Sequence, residues 1–219
     1  MKHKKLIIFC FLLLIIYLIY MTFHNDKINY LASYLKENNK LNNYSKDFAF
    51  AGFRIADLQH QLDMNQILTR QNKTLSFKKC LREADLVTIS IGGNDLLTEI
   101  NMSTSDISII DEKKLLDIFS KKMKELDNLL KSIRKYNNRK IILLGYYNPY
   151  EYTDIVPDRV FAYFDEEMKK VTTKYDIEFV SIYRVFKNNN DYLPNPTNIH
   201  PSNEGYKAIY LEIMKQLKK

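Results

Sequence analysis

The chain has little of what would cross-link it or bend it sharply. Only two cysteines occur in 219 residues, Cys10 inside an apolar leader and Cys80 alone beyond it. A disulfide within the folded part is therefore excluded, and stability has to come from packing. Glycine is scarce too: Gly52, Gly92, Gly93, Gly145 and Gly205 are the five, and none is followed by Asp-Ser. A basic stripe is also missing. Lys and Arg number 33 against 26 Asp and Glu, and three of the lysines lie in the leader, which leaves a net of +4. That balance, with Lys far ahead of Arg and with Asn, Ile and Tyr abundant, looks like an AT-rich coding bias and argues against a nucleic-acid partner. Internal repeats and interdomain linkers are absent as well, so one core of about 190 residues is implied.

The leader runs from Met1 to Phe23, with Lys2, Lys4 and Lys5 ahead of an apolar run from Leu6 to Met21. Sixteen residues fall between the core of a signal peptide, about 7–15, and a spanning helix, about 17–25. The flank decides the matter, because Ile19-Tyr20-Met21-Thr22-Phe23 offers bulky residues where a signal peptidase needs small ones. We expect an uncleaved transmembrane anchor over residues 1–24 and a folded domain over 25–219. The lysines should stay cytoplasmic, placing that domain on the outer face of the membrane. Ile8-Phe9 before Cys10 is the wrong context for lipid attachment, and Cys10 reads as an apolar residue facing lipid.

Beyond the leader, strand and helix signals alternate. A helix is expected from Asp26 to about Asn38, a short strand over Lys46 to Ala51, and helices over Arg54 to Asp63 and Ser76 to Ala84. Asp85 to Ile91 is the clearest strand, β-branched and continuous enough to be buried on both faces. Residues 101 to 110 read as a surface loop. A long amphipathic helix follows from Asp111 to about Tyr136, then a strand over Lys140 to Gly145, an aromatic loop, and a helix opened by Pro157. A last strand over Ile177 to Ile182 and an Asn-rich loop lead to a final helix starting near Ser202. This alternation implies a parallel sheet covered on both faces.

In such a sheet, ligands sit at the carboxyl ends of the strands. Gly52 ends one expected strand, Gly92-Gly93-Asn94-Asp95 follows the next, and His200 lies in the last loop, so the three can converge. Paired glycines let the backbone turn and bring an N–H close to a ligand. The Asn94 amide can donate to a developing oxyanion and the Gly52 N–H can add a second donor, each typically worth about 3 kcal/mol in a dry site. Taken alone, Gly-Gly-Asn-Asp also fits a tight turn with a helix cap at Asn94 or Asp95. His200 is stiffened by Pro201, and Ser202 can cap the next helix, which suits an imidazole serving as general base. His3, His24 and His60 have no such setting.

Together these motifs resemble the SGNH (GDSL-type) hydrolases. The strand and Gly-Gly-Asn-Asp at 85 to 95 look like that family's third block, Gly52 like its second-block glycine, and His200-Pro201-Ser202 through Gly205-Tyr206 like its fifth. The loop Tyr146-Tyr147-Asn148-Pro149-Tyr150 is similar to an Asn-Pro loop of bacterial lipase-like members. The resemblance implies a three-layer, flavodoxin-like α/β fold with strand order 2-1-3-4-5. It also implies Gly52 and Asn94 as oxyanion-hole donors, His200 as the base, Gly92, Gly93 and Asp95 as support, and no metal or cofactor.

Two departures stand out. The family's nucleophile is the serine of a Gly-Asp-Ser block after the first strand, yet only His24-Asn25-Asp26-Lys27 separates the leader from the first expected helix. The first strand is therefore expected to be missing, which leaves a vacancy at the sheet's centre or forces its two neighbours together. Leu6 to Phe11 could fill that slot, but the membrane reading of the segment is the stronger. Ser45, Ser90 and Ser202 are poor substitutes for the nucleophile, and Thr197 stands where the family places the triad Asp, three residues before His200. In a serine protease, loss of the acid's charge costs about 10⁴ in turnover. Three outcomes are open: an anchored ester hydrolase, a non-catalytic relative binding an acylated lipid or glycan, or the product of an internally deleted gene.

Overall fold

A computed structural model describes residues 6–11, 30–70, 73–103, 111–149, 156–194 and 199–218. In chain order the elements are β1 (Leu6–Phe11), α1 (Tyr30–Glu37), β2 (Asn43–Ser45), α2 (Ile55–Asp63), β3 (Ile67–Arg70), β4 (Lys73–Ser76), α3 (Phe77–Glu83) and β5 (Leu86–Ser90). They continue with α4 (Gly93–Ser103), α5 (Glu112–Arg134), β6 (Lys140–Leu144), α6 (Asp158–Thr173), β7 (Glu178–Val180), α7 (Ile182–Phe186) and α8 (Asn203–Leu217).

The main sheet has the order β2-β1-β5-β6-β7, with every neighbouring pair parallel. Its middle strands β5 and β6 are short, largely apolar runs whose alternate residues serve opposite faces. Ile141 and Leu143 of β6 join Phe119, Leu126 and Leu130 of α5 and Phe164 and Met168 of α6 in the larger core. Ile142 and Leu144 instead pack with Leu31 and Leu35 of α1 and Ile209 and Ile213 of α8. The result is three layers, with α2, α3, α5 and α6 contributing to one core and α1, α7 and α8 to the other.

The central slot is filled, which corrects the expected vacancy. Leu6–Phe11 lies between β2 and β5, with Ile7 opposite both Tyr44 and Leu86. The two readings of this segment have one physical cause: six apolar residues of a central strand have the hydropathy of a membrane segment, and hydropathy carries no record of pairing. The rest of the expected anchor, residues 12–24, lies outside the described residues. No described helix is long and apolar enough to cross a membrane.

Other differences are local. The strand expected over Lys46 to Ala51 is seen earlier, at Asn43–Ser45, because the chain turns at Lys46, where the Ala49 N–H donates to the Lys46 carbonyl. Phe48 still reaches the core from that turn, stacked on Phe77 with ring centroids 4.8 Å apart. The antiparallel β3–β4 pair has no signal in the sequence, since its connecting residues Gln71 and Asn72 include no glycine. The last strand stops at Val180 because the Ser181 hydroxyl accepts from the Arg184 N–H and starts α7.

Candidate active site

The carboxyl ends of β5 and β6 carry the densest set of polar contacts that bear on chemistry. Gly92 turns the chain with φ +98°, and a Cβ built there would lie 2.0 Å from the Tyr146 Oη, so no other residue fits. That turn starts α4 at Gly93 and puts Asn94 and Asp95 on its first turn, both buried.

These two side chains bind the segment before α2. The Asn94 Nδ2 donates to the Phe53 carbonyl at 2.9 Å, and an amide nitrogen has a second N–H to offer. The Asp95 Oδ2 accepts the Ile55 N–H at 3.0 Å, satisfying a donor at the start of α2. Its Oδ1 lies 3.4 Å from the Lys122 Nζ of α5, which is also 3.1 Å from the Glu125 Oε1. Burial pushes the Asp95 carboxyl above its ordinary range, while the Ile55 N–H and Lys122 pull it back. Lys122 itself is held protonated: burial works against the charge, but Glu125 and Asp95 outweigh it.

Gly52 therefore sits one residue from the Asn94 anchor. It does not end a strand as expected, since β2 stops at Ser45, but lies in the turn leading to α2 with φ +79° and nothing within 4 Å of a Cβ position. Open space beside a glycine is what an approaching ligand oxygen needs. Sequence reasoning finds Gly52, Asn94 and Asp95 through their motifs, but it misses Lys122, which looks like one more lysine on the solvent face of α5.

His200 is held differently. The residue before it, Ile199, offers its carbonyl to the Tyr147 Oη at 2.6 Å. After it, the Ser202 N–H donates to the Tyr192 carbonyl at 2.9 Å and the Ser202 Oγ donates to the Asp191 carbonyl at 2.6 Å. The same Oγ accepts the Gly205 N–H at 3.1 Å and caps α8. Burial holds the imidazole below its ordinary pKa, so the neutral ring is the form present near pH 7. Thr197 lies outside the described residues.

Ile199 and Asn94 line one cavity, which ties the two halves of the site together. Its volume is about 100 Å³, and its walls include Phe53, Leu96, Leu115, Phe161 and Phe164. None of the described residues that line it is charged. Tyr146 and Tyr147, from the aromatic loop after β6, close one side. The Tyr146 hydroxyl is buried with no hydrogen-bond partner among the described residues, and burial pushes its pKa far up. Among the described residues, no group of three His, Cys, Asp or Glu is placed to hold a metal.

This arrangement can bind a carbonyl oxygen beside Gly52 and Asn94 with its apolar substituent in the cavity. The segment between β1 and α1, residues 12–29, contains no serine. Comparison with known proteins bears on the assignment: the profile of the GDSL-like Lipase/Acylhydrolase family matches residues 22–208. The chain belongs to this family. Among relatives of the GDSL-like family, the spore germination lipase LipC of Bacillus licheniformis is 27% identical over 153 residues, 68% of this chain and 70% of that protein. A solved lipase from a goat rumen metagenome, Lip_vut3, superposes with a TM-score of 0.65 at 22% identity, covering 85% of this chain and 84% of its own. Axe2, an acetylxylan esterase from Geobacillus stearothermophilus, superposes with a TM-score of 0.61 at 14% identity over 98% and 94% of the two chains. At these identities the solved structures establish the GDSL-like fold and nothing finer.

Proposed function

We propose that this chain recognises the ester group of an acylated lipid or O-acylated glycan through Gly52 and Asn94, with His200 beside it, and lacks the serine route to hydrolysis. The observation that carries this reading is the placement of Asn94, buried at a helix start, tied to the residue after Gly52, and bordering an uncharged cavity. A preorganised donor pair of this kind is complementary to an ester oxygen. The names of its relatives, lipases and an acetylxylan esterase, support an acyl ester as the ligand class. The absence of Gly-Asp-Ser from the sequence supports a binding role over turnover. The test is a fluorophosphonate probe applied to the full chain: we expect no covalent labelling, and labelling that disappears in His200→Ala would overturn the non-catalytic reading.

A second reading rests on the family match, which begins at residue 22, beyond β1. An ancestral first strand and nucleophile block lost by internal deletion, with the apolar leader taking the vacant slot, accounts for that offset. Neighbouring DNA encoding a Gly-Asp-Ser block in another frame would support it, as would a melting transition without cooperativity.

For location, we propose the outer face of the cytoplasmic membrane. The support is in the sequence: three lysines before sixteen apolar residues, with no cleavage site after them. Leu6–Phe11 cannot be both a membrane helix and β1, so carbonate extraction separates the two uses. A pelleted chain places the segment in lipid, and a released one places it in the sheet.

A further inference from the structure

At the end of the molecule away from the site, two large apolar side chains are exposed close together. Met64, 69% exposed, follows the last residue of α2, and Ile67, 62% exposed, opens β3. Leu68 and Leu75, opposite each other in the β3–β4 register, pack on the larger core, and strand alternation turns Ile67 outward. The Lys78 Nζ donates to the Asp63 carbonyl at 3.2 Å, which brings that lysine beside Met64. The Lys78 and Arg82 cations, one turn apart on α3, sit 5.3 Å and 5.8 Å from the centre of the same Tyr136 ring. Like charges at this spacing repel. The carboxylates nearest in sequence are engaged elsewhere: Asp63 accepts from Gln59, Glu83 lies 3.8 Å from Lys79, and Asp85 lies 3.4 Å from Arg139. Lys73 on β4 and Lys135 beside Tyr136 are exposed and add to the positive surface.

The chain path sets where this patch lies. α2 starts against Asp95 at the carboxyl end of β5 and runs nine residues away from it, about 14 Å at 1.5 Å per residue. The Asn137 Nδ2 donates to the Leu81 and Ala84 carbonyls, holding the ends of α3 and α5 together ahead of β5 and β6. A single exposed apolar residue is ordinary, whereas two that project beside unneutralised cations have the make-up of a surface that enters a lipid interface. An anionic bilayer complements both parts: headgroup phosphates meet Lys78 and Arg82, and the acyl boundary takes Met64 and Ile67. We propose that this end of the molecule docks on the surface of an anionic lipid bilayer through Met64, Ile67, Lys78 and Arg82. Docking leaves the site at the carboxyl ends of β5 and β6 facing away from the lipid, and it needs no spanning segment.

The chain contains no tryptophan, so one introduced by substitution reports alone. The test places it in the full chain as Ile67→Trp, as Met64→Trp, or as Leu211→Trp, the last an exposed position on α8 that serves as control. Each is mixed with vesicles whose acyl chains are brominated, made of phosphatidylcholine alone or with about one-third phosphatidylglycerol. Contact is read as quenching of the tryptophan, because a leader inserted in lipid would hold the chain on any vesicle. Ile67→Trp and Met64→Trp should be quenched by the anionic vesicles and not by the neutral ones, and Leu211→Trp by neither. The ratio of quenched to unquenched tryptophan should fall about fivefold with Lys78→Gln and again with Arg82→Gln, the factor for about 1 kcal/mol per basic residue at a charged membrane. Two reporting positions are used because either substitution could disturb the hairpin, which a thermal melt reports. Unquenched tryptophan at both positions, quenching equal to that of Leu211→Trp, or quenching indifferent to lipid charge would overturn the docking surface. Ester recognition is unaffected by any of these results.

Discussion

The two halves of the site are held in place by different physics. One half, Gly52 to Ile55 with Gly92 to Asp95, is built into the larger core through a left-handed glycine turn, a buried carboxylate and a lysine from a distant helix. The histidine half, Ile199 to Gly205, hangs on hydroxyl-to-carbonyl bonds and a helix cap nearer the surface. The first half cannot change without disturbing the fold. The second can change at smaller cost.

That contrast predicts a ranking. The largest effect belongs to Gly92→Ala, which forces a strained φ and a Cβ into the Tyr146 hydroxyl. We expect a loss of about 3 kcal/mol or failure to fold, measured by denaturant melts. Tyr146→Phe in that background should recover part of the loss, and an unchanged double variant would break the packing explanation. Next comes Asp95→Ala, which strands the Ile55 N–H and removes the buried partner of Lys122, for about 2–3 kcal/mol. On the histidine side, Ser202→Ala removes a helix cap and a bond to the Asp191 carbonyl, for about 1 kcal/mol. If Ser202→Ala cost as much as Asp95→Ala, the distinction between the halves would fail.

The smallest effects are those of pH, and they have opposite signs in the two halves. His200 has a folded pKa below its unfolded value of 6.5, so its contribution to stability is full above pH 6.5 and is lost as pH falls toward the folded value. Asp95 has a folded pKa above 3.8, so its contribution is full below pH 3.8 and is lost as pH rises through the folded value. Stability measured across pH in His200→Ala and Asp95→Asn should show each slope disappear separately. A slope that survives its own substitution would reassign the titration.

Much of this is legible in the sequence because it rests on local signals. α5, α6 and α8 follow from helical periodicity and from the caps Asp111, Pro157 and Ser202, and β5 follows from its uninterrupted β-branched run. Asn94 and His200 stand out through their motifs. Lys122, the orphaned Tyr146 hydroxyl and the cavity do not, because each depends on contacts between helices and strands far apart in the chain. β1 is ambiguous for a related reason. Leu6–Phe11 has a composition that suits a bilayer and a covered sheet equally, and only Asn43–Ser45 and Leu86–Ser90 on either side decide between them.

The position of β1 also sets an order of events during synthesis. Leu6–Phe11 leaves the ribosome well before Leu86, the partner of Ile7 on one side. Until β5 appears, the sheet has no centre, and an apolar strand waits with an unpaired edge. Pairing over so long a stretch of chain is slow. The site at the carboxyl ends of β5 and β6 is therefore assembled only after a strand made early and a strand made late have found each other.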